Sequence, residues 1–298
     1  MRILFTLHVE KNKKTAKDTN TTKGYYPPPN HMLRDLSLVL AFQASDKATI
    51  RAPAGPSVST DGGTMLLGVM ATLVDVLGGG LALRSFYPDW AATTHLSVQS
   101  TGRALCGYVD AQGELKKTGR NTVLVMVDIR HTPHKESRAT PVATAIIGYT
   151  RFRPKDRSQL LQIGPVANNV LHFISDTSGL GQPFLQKVGL QILNEAEGLV
   201  QVEMNDYVRN SFNALQGGVF ALLADLAGQT AARCMTGKPF TTADLAIQFL
   251  RQGKVGPFQT RTSILRKTKK TVLSRVEILD RGEGDRLLSI ATNLATPV

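Results

Sequence analysis

The sequence predicts an α+β chain made of one unit used twice, and three observations carry that expectation. The segment GVMATLVDVLG (Gly68 to Gly78) returns as GVFALLADLAG (Gly218 to Gly228). Each unit holds one long apolar stretch with helical spacing. Four runs of alternating residues follow that stretch, which is the pattern of consecutive antiparallel strands rather than of a doubly wound sheet.

The elements follow in chain order. The first thirty residues are polar, with lysines at 11, 13, 14, 17 and 23 and then Tyr25-Tyr26-Pro27-Pro28-Pro29, so a flexible arm is expected over 1–30. The first unit is expected over 31–155, a linker rich in Asp, Ser and Gly over 156–180, and the second unit over 181–298. Each unit should open with a short helix (Met32 to Phe42; Phe184 to Asn194), then an alternating stretch such as Val200, Val202 and Met204. In the second long helix Val219, Leu222, Leu223 and Leu226 share a face, and a Gly-Gly step marks its start. The four closing strands are expected at Leu245/Ile247/Phe249, Phe258 to Ile264, Val272 to Ile278 and Leu288 to Thr292. A single largely apolar helix before four strands suggests that the sheet curls around it.

The repeat is unusually regular. Gly68, Val69, Ala71, Leu73, Asp75 and Gly78 recur as Gly218, Val219, Ala221, Leu223, Asp225 and Gly228, an offset of 225 − 75 = 150. Downstream, His95 to Gln99 meets Asp244 to Gln248 at 248 − 99 = 149. A register held over roughly 80 positions with one single-residue slip is the mark of duplication.

Composition narrows the function classes. The 298 residues are 42% hydrophobic and 19% charged, an ordinary globular balance. No apolar run reaches the roughly 18 residues that a spanning helix needs, so no membrane span is expected and a cytoplasmic protein is the default. The two cysteines, Cys106 and Cys234, are expected as small core residues in a reducing compartment. The net charge of +12 favours a polyanionic partner. Aromatic residues make up only 6%, too few for a base-stacking platform, so nucleic acid is not expected. His131-Thr-Pro-His134 has no acidic or cysteine companions and is expected in a loop, with no metal. Gly78-Gly79-Gly80 lacks the Lys-Ser/Thr of a phosphate loop, and there is no Gly-x-Ser-x-Gly elbow.

The stretch Gln216-Gly217-Gly218-Val219-x-Ala221-x-Leu223-x-Asp225 resembles the His-Gly-Gly-x-x-x-x-Leu-x-Asp signature of hotdog-fold acyl-CoA thioesterases of the phenylacetate-pathway (PaaI-like) type. The resemblance covers both units and implies two tandem hotdog domains, each an antiparallel sheet around a central helix, packed as a pseudo-dimer. It also implies acyl-CoA as substrate, no bound cofactor, and composite sites at the interface between units. One site would hold Asn210, Gln216 and Gly217 with Asp75 and Thr93; the other Thr60, Leu66 and Leu67 with Asp225 and Thr242. Residue chemistry supports the assignment independently. A backbone N–H at a helix N-terminus can receive an oxyanion, Gly217 leaves room for its approach, and a carboxylate can act as base or nucleophile. Either Asp could instead cap or salt-bridge across the interface, the glycines could serve close packing, and Asn210 could be a turn residue.

The first unit departs from the signature with Leu66-Leu67-Gly68 and Thr60, so one working site per chain is expected, around Asp75. Lys117, Gly119, Arg120 and Asn121, and their counterparts Lys267, Lys269 and Lys270, resemble the turn that holds CoA phosphates in this family; a solvated hairpin tip is the alternative. Arg153 and Arg251 are weaker candidates. An acyl wall near Met70 and Phe220 is expected, and a dimer of tandems is permitted. The principal rival function is an acyl-CoA-binding sensor without hydrolysis. A dehydratase lacks its His and Glu pair.

Overall fold

The computed structural model describes residues 26–134, 137–153, 170–174 and 179–298; most of the arm and of the linker lies outside them. The first half runs α1 (Met32–Asp35), β1 (Val39–Phe42), β2 (Lys47–Ala54), α2 (Leu67–Phe86), β3 (Trp90–Ser100), β4 (Gly107–Thr118), β5 (Thr122–Thr132) and β6 (Thr140–Phe152). A short β7 (Val170–His172) precedes the second half: α3 (Phe184–Val188), β8 (Gln191–Asn194), β9 (Leu199–Val202), α4 (Gly217–Thr236), β10 (Phe240–Phe249), β11 (Phe258–Lys267), β12 (Val272–Asp280) and β13 (Arg286–Pro297).

All strands join one antiparallel sheet in the order β7-β1-β2-β4-β5-β6-β3-β10-β13-β12-β11-β9-β8. Apart from β7 the order is palindromic about the β3–β10 seam. At that seam Leu96 pairs with Ile247, Ser97 with Ala246 and Val98 with Leu245. Under the 149-residue offset Ser97 corresponds to Ala246, so the two central residues are repeat equivalents and their neighbours exchange symmetrically. Gln99 Nε2 donates to Asp244 Oδ2 at 2.9 Å, and His95 Nδ1 meets Gln248 Nε2 at 2.8 Å across the same seam.

The long helices cross at small residues. A Cβ on Gly68 would lie 2.9 Å from Leu222 Cα, and one on Gly218 would lie 2.4 Å from Thr72 Oγ1. The offset of 150 relates these two contacts to each other. α2 is largely apolar, and most of it is covered by the sheet and by α4. Leu73 and Leu77 are fully buried, each worth roughly 1.5–3 kcal/mol. α4 stops at Gly237, whose φ of +68° suits glycine, and Gly237 N–H returns to the Arg233 carbonyl.

Several expectations need correction. The opening helices are shorter: Met32 to Phe42 divides into α1 and β1, and Phe184 to Asn194 into α3 and β8. Cys106 and Cys234 are exposed, not core. His131 belongs to β5, buried with its Nε2 on the Cys106 carbonyl, and not to a loop. Among the described residues α2 is long and apolar enough to cross a membrane, with mean hydropathy 1.5, but 72% of that window is buried by the rest of the fold. Residues 26–30 are held against the fold rather than free: Arg34 Nε donates to the Pro27 and Pro28 carbonyls at 3.0 and 2.8 Å.

Candidate active site

Asp75 sits in the middle of α2, 9% exposed. Its Oδ1 accepts from Thr93 Oγ1 at 2.8 Å, as the paired expectation required. The Tyr149 hydroxyl donates to the Asp75 carbonyl at 2.8 Å and pins this turn of α2 to β6. Burial raises the Asp75 carboxyl to about 6, and the Thr93 hydrogen bond offsets only part of that. A carboxylate poised there can accept a proton near neutral pH.

Gly217 comes to Asp75 from the other half of the chain. A Cβ on Gly217 would stand 2.5 Å from Asp75 Oδ2, so only glycine fits. Gln216 is the N-cap of α4, and its own Oε1 accepts from Gly217 N–H at 3.1 Å. The donor expected for a thioester oxygen is therefore engaged by Gln216. Asn210 takes the turn role among its two expected ones. Its Oδ1 accepts from Phe212 and Ala214 N–H at 2.9 and 3.0 Å, and its Nδ2 donates to the Leu215 carbonyl at 3.3 Å. One Nδ2 hydrogen remains for a ligand. The first half holds this loop in place. Met32 N–H donates to the Tyr207 carbonyl at 3.1 Å, and His31 Nε2 lies 2.9 Å from the Arg209 carbonyl, which makes that nitrogen the donor.

Asp75, Thr93, Asn210, Gln216 and Gly217 all line one cavity of about 570 Å3. Its remaining walls are mostly apolar: Val76, Leu83, Leu40, Leu171 and Phe173 on one side. Phe212 contacts both Trp90 and Phe152 edge to face, at 4.9 and 5.4 Å, and these three rings also line the cavity. Phe220 belongs to this cavity as expected, whereas Met70 lines a different one of about 250 Å3.

The second constellation is closed. Asp225 is 1% exposed, and its Oδ2 accepts from Gly68 N–H at 2.8 Å. Thr242 Oγ1 and Gln229 Nε2 both reach its Oδ1 at 2.5 Å. Burial raises this carboxyl too, against three hydrogen bonds that lower it. Leu66 and Leu67 are buried where Gln216 and Gly217 stand in the other site, and Thr60 Oγ1 is buried without a partner. The small cavity near Thr242 does not include Asp225. The alternative weighed for this Asp, a cap across the interface, is what it does: α2 has no side-chain cap of its own at Leu66.

Lys117, Gly119, Arg120 and Asn121 form the β4–β5 tip. Its Asn121 carbonyl accepts from Arg151 N–H at 2.8 Å and Thr150 Oγ1 at 3.2 Å, and Thr150 lines the large cavity. Lys117 and Arg120 are exposed beside that rim. The counterpart tip lies on the Asp225 side, since Thr242 and Val272 both pair with Ala295. There Lys269 and Lys270 are exposed, while Lys267 donates to the Met235 carbonyl at 2.8 Å near the end of α4. Arg251 lines the cavity, and Arg153 pairs with Asp89 at 2.8 Å. No cluster suited to a metal ion occurs among the described residues.

Sequence reasoning set Gly79 and Gly80 aside as a failed phosphate loop and passed over Gln229, Tyr149 and Trp90. The signal for Gly79 and Gln229 was present in the repeat, where they align one position beyond the shared Gly78 and Gly228.

These features define a hotdog fold, and comparison with known proteins agrees. Residues 212–286, from the α4 loop through β12 to the start of β13, match the Thioesterase superfamily. A tesB protein from Mycobacterium avium subsp. paratuberculosis matches at TM-score 0.59 and 8% identity, over 90% of this chain and 98% of that one. A candidate thioesterase from Novosphingobium aromaticivorans matches at TM-score 0.57 and 13% identity, over 87% and 98%. A conserved hot-dog-fold protein of unknown function from Alicyclobacillus acidocaldarius matches at 0.55 and 11%, over 90% and 97%. At such identities the likeness is one of fold. No curated protein matches the chain in sequence. The superfamily match supports thioester hydrolysis as the general reaction.

Proposed function

We propose that this chain is a tandem of two hotdog units of the phenylacetate-pathway type, over 31–155 and 181–298, that hydrolyses an acyl-CoA thioester to free acid and CoA at one composite site. The observation that carries this reading is Asp75: a carboxylate raised to about 6, facing a 570 Å3 cavity within reach of the α4 N-terminus from the other unit. Asp75 takes a proton from water as the oxygen attacks the carbonyl carbon. The tetrahedral oxyanion is received at the start of α4, where Gly217 N–H must exchange Gln216 Oε1 for it. Collapse of the intermediate expels CoA sulfur, which leaves with the proton. Thr93 holds the carboxylate, and Asn210 holds the loop that presents Gln216. Lys117, Arg120 and the tip between them receive the CoA phosphates.

One observation favours a second reading. Because Gln216 already occupies Gly217 N–H, the same pocket could hold an acyl-CoA without turning it over. Thiol release from acetyl-, butyryl-, decanoyl-, palmitoyl- and phenylacetyl-CoA separates the two. Turnover that falls at least 100-fold in Asp75→Asn supports hydrolysis. Tight binding of the same ligands with no thiol release supports the binding protein.

A further inference from the structure

We infer that the acyl group lies along one face of α2, that Gly79 is the residue which keeps its channel open, and that the preferred substrates are medium-chain aliphatic thioesters. This deepens the proposed reaction and rests on that reading of Asp75. Asp75, Val76, Gly79, Gly80 and Leu83 all line the large cavity, and they recur at the spacing of one helical face. Leu40, Leu171 and Phe173 line the same cavity, so its wall is mainly aliphatic and aromatic, with Arg34 and His172 also lining it.

Gly79 needs an explanation. Glycine is the poorest residue for a helix interior after proline. Steric need accounts for its neighbours: a Cβ on Gly78 would meet Tyr149 Oη and Ile147 Cγ2 at 2.8 Å, and one on Gly80 would meet Phe42 Cζ at 2.9 Å. A Cβ on Gly79 would meet only Tyr149 Oη, at 3.8 Å, an ordinary contact. Nothing in the fold forbids a side chain there, and any side chain would enter the cavity. The repeat supplies the counter-case. Gln229 holds the equivalent place in α4, where its side chain closes on Asp225 Oδ1, and the cavity beside Thr242 does not include that carboxylate.

The channel also sets a length. From Asp75 to Leu83 the helix advances about 12 Å at about 1.5 Å per residue. An extended chain advances about 1.2 Å per bond, so the channel accepts an acyl group of roughly eight to twelve carbons.

The test uses the full-length protein with saturated acyl-CoAs from acetyl to palmitoyl. For wild type, kcat/KM should peak near decanoyl-CoA and exceed the butyryl value by at least ~30-fold, since each methylene adds buried apolar area. Gly79→Leu should lower the decanoyl-to-butyryl ratio at least ~10-fold, and Gly79→Ala should lower it less. A ratio unchanged by Gly79→Leu overturns the assignment, as does a wild-type optimum at acetyl or palmitoyl. Because Gly79→Leu also burdens folding, Gly79→Ala with an unchanged Tm is the control that keeps the result interpretable. Calorimetric titration of Asp75→Asn with butyryl- and decanoyl-CoA reads the channel without turnover. Decanoyl-CoA binding at least ~10-fold tighter, with the gap closed by adding Gly79→Leu, supports the channel even if wild type hydrolyses nothing. Equal affinities overturn it even if wild type is a hydrolase.

Discussion

Asp75 and Asp225 occupy the same place in the two repeats, yet they live under opposite conditions. Each is buried, each receives a threonine hydroxyl from the following strand, and each faces the other unit's long helix at its N-terminus. Asp75 keeps one oxygen on Thr93 and turns the other towards Gly217 and a cavity. Asp225 has both oxygens occupied, by Gly68 N–H, Thr242 and Gln229. Four local differences separate them: Leu66 and Leu67 against Gln216 and Gly217, Thr60 against Asn210, and Gln229 against Gly79. The loops themselves are alike, since Thr60 N–H bonds the Thr64 carbonyl at 2.8 Å and Asn210 N–H bonds the Ala214 carbonyl at 2.7 Å. On the proposed reading one carboxylate serves the chemistry, while the other holds a helix end through Gly68 N–H.

The largest expected difference is catalytic. Asp75→Asn should lower kcat by roughly 10²–10⁴, whereas Asp225→Asn should leave kcat within about threefold of wild type. Equal losses from the two changes would mean that the second constellation also turns over, and would dissolve the contrast.

Stability should run the other way. Asn at 225 cannot accept on both sides, so it sets an amide donor against either Gly68 N–H or the Thr242 and Gln229 pair. Denaturant unfolding should show a loss of about 1–3 kcal/mol. Asp75→Asn needs only one acceptor, for Thr93, and removes a charge that burial disfavours. The folded carboxyl lies near 6, above its ordinary value of 3.8, so it is the protonated form that folding favours. Wild-type stability is therefore full below the ordinary value and falls as pH rises through about 6. Measured against wild type, the Asn variant should gain up to about 3 kcal/mol above that range and much less at pH 4. A gain that does not vary between pH 4 and 7 would show that Asp75 is ionised without cost. The same titration should appear in catalysis, with kcat/KM rising as pH climbs through about 6.

The smallest contrast lies at the hairpin tips. Replacing Lys117 and Arg120 together with Ala should raise KM by about tenfold with little change in kcat, and the increase should shrink with added salt. Replacing Lys269 and Lys270 should change KM less than twofold, because that tip lies on the Asp225 side.

Much of this arrangement was legible in the residues, and the misses have physical reasons. Alternation at Leu245/Ile247/Phe249 and the matching runs located strands because one sheet face is buried along their whole length. The same rule at Leu36, Leu38, Leu40 and Phe42 spelled a strand, but Met32, Leu33 and Leu36 have helical spacing, and the two patterns overlap within a few residues. The pairing of Asp75 with Thr93 was what the family resemblance implied, carried from Thr242 to Thr93 by the repeat. The role of Asn210 was not legible, because an asparagine that closes a turn and one that holds a ligand look alike in sequence. Cys106 and Cys234 were misplaced because cysteine is apolar enough to be buried but small enough to stand at a loop or helix end without consequence. Gly79 was dismissed with its neighbours as a failed phosphate loop. Its meaning depends on what the facing strands leave open, a property of packing that no local pattern carries.

The seam has a consequence for how such a protein changes over time. In an assembly of identical chains, a residue on the two-fold axis meets its own copy, and every substitution is made twice. Here Ser97 meets Ala246, two residues free to differ. A change that harms one carboxylate's surroundings leaves its counterpart untouched, so selection can act on each half separately. The serine and the alanine facing each other across that seam are a visible trace of this independence.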